Sequence, residues 1–240
     1  MYETVDSLFM GICDSIREKD GTTALISHQD IPARIAAISG GGETFASPFY
    51  TYNGGGLKIE NMVASNFGIN SCIYTMEAFR PLDENWEIQT KFKTPISWVH
   101  AAPAIFASMT YKGSVQCDFE EYNGRYTMWI GLSTDDGRSW TQDGYADYDF
   151  EPDKWYWVRC IFDGERYTAH ISTDGNVFEE IISINYSGQF YQPESNNKFM
   201  FGGRQSSSGN VFDGSIDLKE TYIKIGEEIW WGGNKKHEEV

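Results

Sequence analysis

The sequence predicts a mainly β protein: an antiparallel two-sheet jelly-roll sandwich with a small N-terminal helical hairpin. Three observations predict it. Val5, Leu8, Phe9, Ile12 and Ile16 recur at helical spacing, Asp20-Gly21 stops the pattern, and Ile31, Ile35 and Ile38 resume it after Pro32. Beyond Phe45 the sequence turns alternating and aromatic-rich, with turn signals roughly every 8 to 12 residues as far as Trp231, the rhythm of an antiparallel sandwich. Finally, 15% of the 240 residues are aromatic, which suits sheet faces where flat rings meet cross-strand neighbours.

The expected organisation is a helical attachment or oligomerisation module over 1–39, a Gly-rich linker over 40–48 built on Gly40, Gly41 and Gly42, a β-sandwich over 49–232, and a charged, unstructured tail over 233–240. The hairpin carries two apolar stripes, yet below ~40 residues a chain rarely encloses a core of its own. Its stripes are therefore buried on the β domain, or against copies of themselves or another protein. The glycine hinge favours the second.

Candidate strands are Leu57–Met62, Ser71–Ala78, Trp86–Lys93, Ala104–Thr110, Ser114–Glu121, Tyr126–Ser133, Trp155–Asp163, Tyr167–Ser172, Phe178–Ile184, Lys198–Gly202 and Gly214–Ile225. About a dozen strands exceed a small immunoglobulin-like domain and fit a jelly roll. In WYWVRCIFDGERYTAHIS, Asp163-Gly164 is a tight-turn signal that pairs the flanking strands, placing Tyr167, Ala169 and Ile171 on one face and Arg166, Thr168, His170 and Ser172 on the other. In the last strand, Ile216 and Leu218 are out of phase with Ile223 and Ile225, so a bulge is expected near Glu220-Thr221; the strand ends in Trp230-Trp231.

Nineteen basic against 35 acidic residues give a net charge of -16, which repels nucleic-acid phosphates and anionic lipid headgroups. No stretch approaches the ~20 apolar residues of a membrane span, so no membrane insertion is expected. The acidic start (Glu3, Asp6) is unlike a signal peptide and implies synthesis in a cytosol. Cys13, Cys72, Cys117 and Cys160 lie far apart without a C-x-x-C pair, the pattern of free, mostly buried thiols.

His28, His100, His170 and His237 are dispersed, and no nucleophile elbow or phosphate-binding glycine loop is present. No catalytic residue is assigned. The one alternative is a glycoside hydrolase using Asp118 and Glu120 of the strand CDFEEY, since alternate residues share a strand face and paired carboxylates cleave sugars. Against it, the spacing misses the E-x-D-x-x-E signature of laminarinase-type glucanases, and an acidic strand with Asp118, Glu120 and Glu121 reads as a solvated edge. No cofactor or metal is expected; calcium is the ion that clustered oxygens at Asp135, Asp136, Asp143 and Asp147 would suit. Glycan binding is the favoured reading of the aromatics, because sugars stack C–H faces on flat rings while carboxylates take hydroxyls. Trp140, Asp143, Tyr145 and Tyr148 crowd one loop-rich stretch and are the candidate ligand contacts.

Three resemblances extend this reading. Ser133, Asp135, Gly137 and Trp140 fit S-x-D-x-G-x-x-W, which resembles the Asp-box turn of sialidase propellers, a folding staple; Ser172-Thr-Asp174-Gly175-Asn-Val-Phe178 is a shortened echo. The run SLFMGICDSIREKDGTTALISHQDIPARIAAIS is similar to a short module, L-x-x-I-x-x-A-I-R-x-K-x-G followed by I-x-x-x-x-I-P-x-x-I, of bacteriophage tail, baseplate and other virion proteins, although Cys13-Asp14-Ser15 departs from its alanine-rich version. FDGSIDLKETYIKIGEEIWW resembles the last strands of concanavalin A-like, laminin-G-like domains in phage structural proteins. These imply a virion component assembled in a bacterial host's cytoplasm, with other virion proteins as partners, a homotrimer built on the N-terminal module, and a lectin-like domain that binds a host surface glycan from a tail or fibre. A head decoration or fibre with no glycan ligand, and a glycan depolymerase, are the alternatives.

Overall fold

The computed structural model describes residues 49–51, 57–68, 72–78, 85–97, 104–108, 115–122, 125–132, 142–186, 198–203 and 211–232. All lie in the second of two units into which the chain divides, Pro48–Val240. The helical module and its stripe residues, the linker, the Asp-box motif from Ser133 to Trp140 and the tail fall outside the described residues.

Fifteen strands are described and no helix: β1 (Phe49–Thr51), β2 (Lys58–Glu60), β3 (Val63–Ser65), β4 (Ile73–Ala78), β5 (Trp86–Lys93), β6 (Ala104–Ser108), β7 (Val115–Tyr122), β8 (Arg125–Leu132), β9 (Gln142–Asp147), β10 (Trp155–Phe162), β11 (Arg166–Ser172), β12 (Glu179–Asn185), β13 (Lys198–Phe201), β14 (Ser215–Ile225) and β15 (Glu228–Gly232). They form a seven-stranded sheet in the order β1-β4-β13-β6-β7-β8-β9 and an eight-stranded sheet in the order β12-β11-β10-β5-β14-β3-β2, with β15 also on β14. Every pairing is antiparallel. The chain is thus the expected mainly β, two-sheet protein.

The core lies between the sheets and is built from rings. Phe92 of β5 meets Phe119 of β7 across the sandwich at 5.2 Å between centroids, Phe150 contacts Phe119 at 4.8 Å, and Trp231 of β15 stacks on Phe201 of β13 at 4.7 Å. Each such ring contributes ~1.5–3 kcal/mol through burial, and well-oriented pairs add ~0.5–1.5. Strand alternation sorts these residues inward. On β10, Tyr156, Val158, Cys160 and Phe162 are buried while Trp155, Trp157, Arg159 and Ile161 are half-exposed. Cys72, Cys117 and Cys160 are free and buried; Cys13 is outside the described residues.

The turns depart from expectation in instructive ways. Asp163 N–H donates to Arg166 O, so the two central residues are Gly164 and Glu165, one position later than the Asp-Gly reading. Gly164 alone takes positive φ, 95°, as a type II′ hairpin needs, while Asp163 caps the turn by accepting from the amides of Glu165 and Arg166. The expected strand Leu57–Met62 stops at Glu60, and a second strand, β3, follows it from Val63. Asn61 and Met62, at φ 51° and 68°, form the loop between Glu60 and Val63, the double left-handed pair of a type I′ turn. A methionine carries no turn signal, and Met62 is held there by burial at 6% exposure and by Leu218 N–H donating to its carbonyl. Nor does the chain end its last strand at Trp230-Trp231. It reverses at Gly226, φ 58°, and Glu227, and returns as β15.

The bulge in β14 is present. Asp217 pairs with Lys91 and Tyr222 with Gln89, so four residues, Leu218 to Thr221, stand opposite Thr90 alone. Ile216 points inward before it, Leu218 and Thr221 at its two ends, and Ile223 after it. Gln89 secures the bulge by donating to Glu220 O.

Candidate functional site

Each sheet turns one face away from the core, and the two outward faces differ. On the eight-stranded sheet, the bulge swings Glu220 across the surface so that its carboxylate accepts from Trp157 Nε1 at 2.6 Å and Lys91 Nζ at 2.9 Å. Lys91 also pairs with Asp217 at 3.0 Å and lies over the Trp157 ring, 4.7 Å from its centroid. Arg159 donates to Gln89 Oε1 at 2.7 and 3.1 Å, pairs with Glu87 at 3.3 Å and covers Phe178 at 3.8 Å. Tyr222 donates to Glu87. Burial works against ionising Glu220, but the Lys91 and Trp157 bonds outweigh it and hold the carboxyl below its ordinary value. This face binds itself.

Beside it, the Asp-box echo is a formed turn: Ser172 Oγ accepts from Gly175 N, and Asp174 Oδ1 accepts from Asn176 N at 2.8 Å and Val177 N at 3.0 Å. These amides hold the Asp174 carboxyl low. The turn is a staple, with no ligand geometry.

The seven-stranded sheet is different along β7, β8 and β9. The stretch holding the predicted ligand contacts is a strand from Gln142 to Asp147, not the loop its polar composition suggests. Asp143, Tyr145 and Asp147 point outward and are exposed; Gln142, Gly144 and Ala146 point inward. Register aligns Tyr145 with Trp129 and Asp118, and Asp147 with Thr127 and Glu120. The Tyr145 ring is 57% exposed and rests 6.4 Å from the Trp129 ring, which is itself 4% exposed. Trp129 Nε1 donates to Asp143 at 3.1 Å and Thr127 Oγ1 to Asp147 at 3.0 Å, so β8 fixes both carboxylates. Gly144 brings β9 close to the other sheet: a Cβ there would lie 2.7 Å from Ile182 Cγ2.

Of the four predicted contacts, Asp143 and Tyr145 come together. Tyr148 lies past the strand's end, half-buried against Phe150 at 4.7 Å and Tyr156 at 6.0 Å, and Trp140 lies outside the described residues. Sequence reasoning missed Trp129 and Thr127, which only cross-strand register places here. It also misread CDFEEY: β7 is an interior strand between β6 and β8, and Asp118 is 2% exposed and accepts from Gln116 Nε2. Glu120 shares its strand face by register. As for calcium, Asp143 and Asp147 serve β8, Asp135 and Asp136 lie outside the described residues, and among those described no three His, Cys, Asp or Glu gather as a metal site requires.

No protein-family model matches the chain, and no curated protein matches it. Solved structures do. The enzymatically active domain of tailspike protein 2 from bacteriophage CBA120 superposes with a TM-score of 0.54 at 12% identity, covering 80% of this chain and 31% of that one. Full-length tailspike protein 2 from an Escherichia coli O157:H7 bacteriophage gives 0.54 and 12%, covering 80% and 28%. A heptameric pentraxin from Limulus polyphemus gives 0.47 and 14%, covering 72% and 73%. The chain spans under a third of either tailspike, and at these identities the likeness is one of fold.

Proposed function

We propose that this protein is a bacteriophage virion component, part of a tail or fibre, whose lectin-like sandwich binds a glycan of the host surface without cleaving it. The observation that carries the reading is the outward face of β8 and β9, where an exposed tyrosine, backed by a buried tryptophan, stands between two fixed carboxylates. A flat ring takes the apolar face of a sugar and flanking carboxylates take its hydroxyls. The fold likeness to phage tailspike domains and the virion-protein resemblance of both chain ends support the setting: assembly in the host cytoplasm and other virion proteins as partners. A trimer joined through the N-terminal module would make weak single sites useful, since tethered copies rebind at high effective concentration. Burial of Asp118 and its bond to Gln116 favour binding over hydrolysis.

The test is binding of the fluorescent full-length chain to a panel of bacterial cells and to a glycan array. Binding to cells and to at least one glycan, lost in Tyr145→Ala, is expected. Absence of binding to every cell and glycan would favour a decoration protein without a ligand, and release of reducing sugar would favour a depolymerase.

A further inference from the structure

Charge on the β7–β9 face narrows the sugar. Among the described side chains at the outward register positions of these strands stand three acidic residues, Asp118, Asp143 and Asp147, and no basic one. Tyr145 occupies the middle of β9, with Asp143 and Asp147 each two residues away on the same face, about 7 Å along the strand at its ordinary rise. On the eight-stranded sheet the acids meet Lys91 and Arg159; here Asp143 and Asp147 meet an indole N–H and a hydroxyl, which orient a carboxylate without neutralising it.

A ring face between two such carboxylates attracts a cation twice over, through the ring quadrupole and through ion pairing. It repels uronate and phosphate. Neutral N-acetylated sugars gain stacking and hydroxyl hydrogen bonds but no ion pair. We propose that this face takes a glycan bearing free ammonium groups, such as a de-N-acetylated amino-sugar polymer, with the ammonium held over Tyr145 between Asp143 and Asp147. The assignment rests on the glycan-binding reading above and is tested so that the two fail separately.

The experiment is titration calorimetry of the full-length protein with oligomers of glucosamine, N-acetylglucosamine and galacturonate, and with a lysine-rich peptide, at low and high salt. The glucosamine oligomer is expected to bind about tenfold or more tightly than its acetylated counterpart and to weaken with salt, as exposed charge pairing does. A D143N/D147N double variant, whose amide oxygens still accept from Trp129 and Thr127, is expected to lose that preference and the salt dependence. Tyr145→Ala is expected to lose both oligomers. Equal binding of the two glucosamine forms, or preference for galacturonate, overturns the ammonium assignment while glycan binding stands. Binding of the peptide but not the amino sugar, unaltered binding by Tyr145→Ala, or no binding at all overturns it as well, and in the last case the cell and array experiment decides whether glycan binding survives.

Discussion

The outward faces of the two sheets are made from similar residues and put them to opposite use. On the eight-stranded sheet, tryptophans and carboxylates come with Lys91 and Arg159, and the side chains spend their polar valences on one another. On the seven-stranded sheet the basic partners are replaced by Trp129 and Thr127, and the most exposed ring of that strip, Tyr145, faces outward. An aromatic-acidic surface is therefore not a binding surface by composition. What separates the two is whether a cation is already built in.

The largest effect expected lies beneath both faces. Phe119→Ala removes a ring that touches Phe92 and Phe150 and is expected to cost about 3–5 kcal/mol in urea unfolding, because the rigid sandwich leaves a cavity. Next, Glu220→Ala takes an acceptor from Trp157 and Lys91 together and is expected to cost about 1–3 kcal/mol while glycan binding is unchanged. If Glu220→Ala abolishes binding instead, the contrast between the faces is broken.

Acid sharpens the contrast in the same direction. Glu220 has its folded pKa lowered, so its contribution is present above the ordinary glutamate value near 4.5 and disappears as pH falls through the lower folded value. His170, on the same face, is lowered mainly by burial, with Glu180 and Glu87 opposing and Arg159 and Arg166 assisting. Its folded form is neutral, so stability is full above about 6.5 and declines as pH drops below it. Urea midpoints across pH 3 to 8 are expected to fall on the acid side, with the lower step reduced in Glu220→Gln. The smallest stability effect belongs to Tyr145→Ala, within about 0.5 kcal/mol of wild type. A much larger loss would mark that ring as structural.

How much of this was written in the chain depends on the kind of signal. Strands with a dense apolar alternation, Trp86–Lys93 and Trp155–Phe162, are readable to the residue or nearly so, and the phase slip between Leu218 and Ile223 locates the β14 bulge. β9 was hidden because Gln142 to Asp147 buries only small or polar residues: Gly144 faces Ile182 and Ile184 of β12 and Ala146 packs against the core, so the apolar half of the alternation sits on the other strand. β15 was hidden because Gly226-Glu227 reads as loop chemistry, although Gly164-Glu165 makes the same turn. The candidate site was legible as residues, Asp143 and Tyr145, and illegible as a place. Trp129 and Thr127 join them through hydrogen-bonded register between strands, which no local pattern records.

The long strand β14 has one further consequence. Its flank away from β5 is shared between two short partners, β3 along Ser215–Asp217 and β15 along Tyr222–Ile225. Bare backbone amides and carbonyls at a sheet margin recruit neighbouring chains indiscriminately, and molecules crowded at high copy number are the most exposed to that hazard. Splitting the margin into two brief, offset parts, β15 along one and β3 along the other with β2 and its Lys58 and Glu60 beyond it, denies an incoming chain a continuous template and leaves self-association to surfaces that choose their partners.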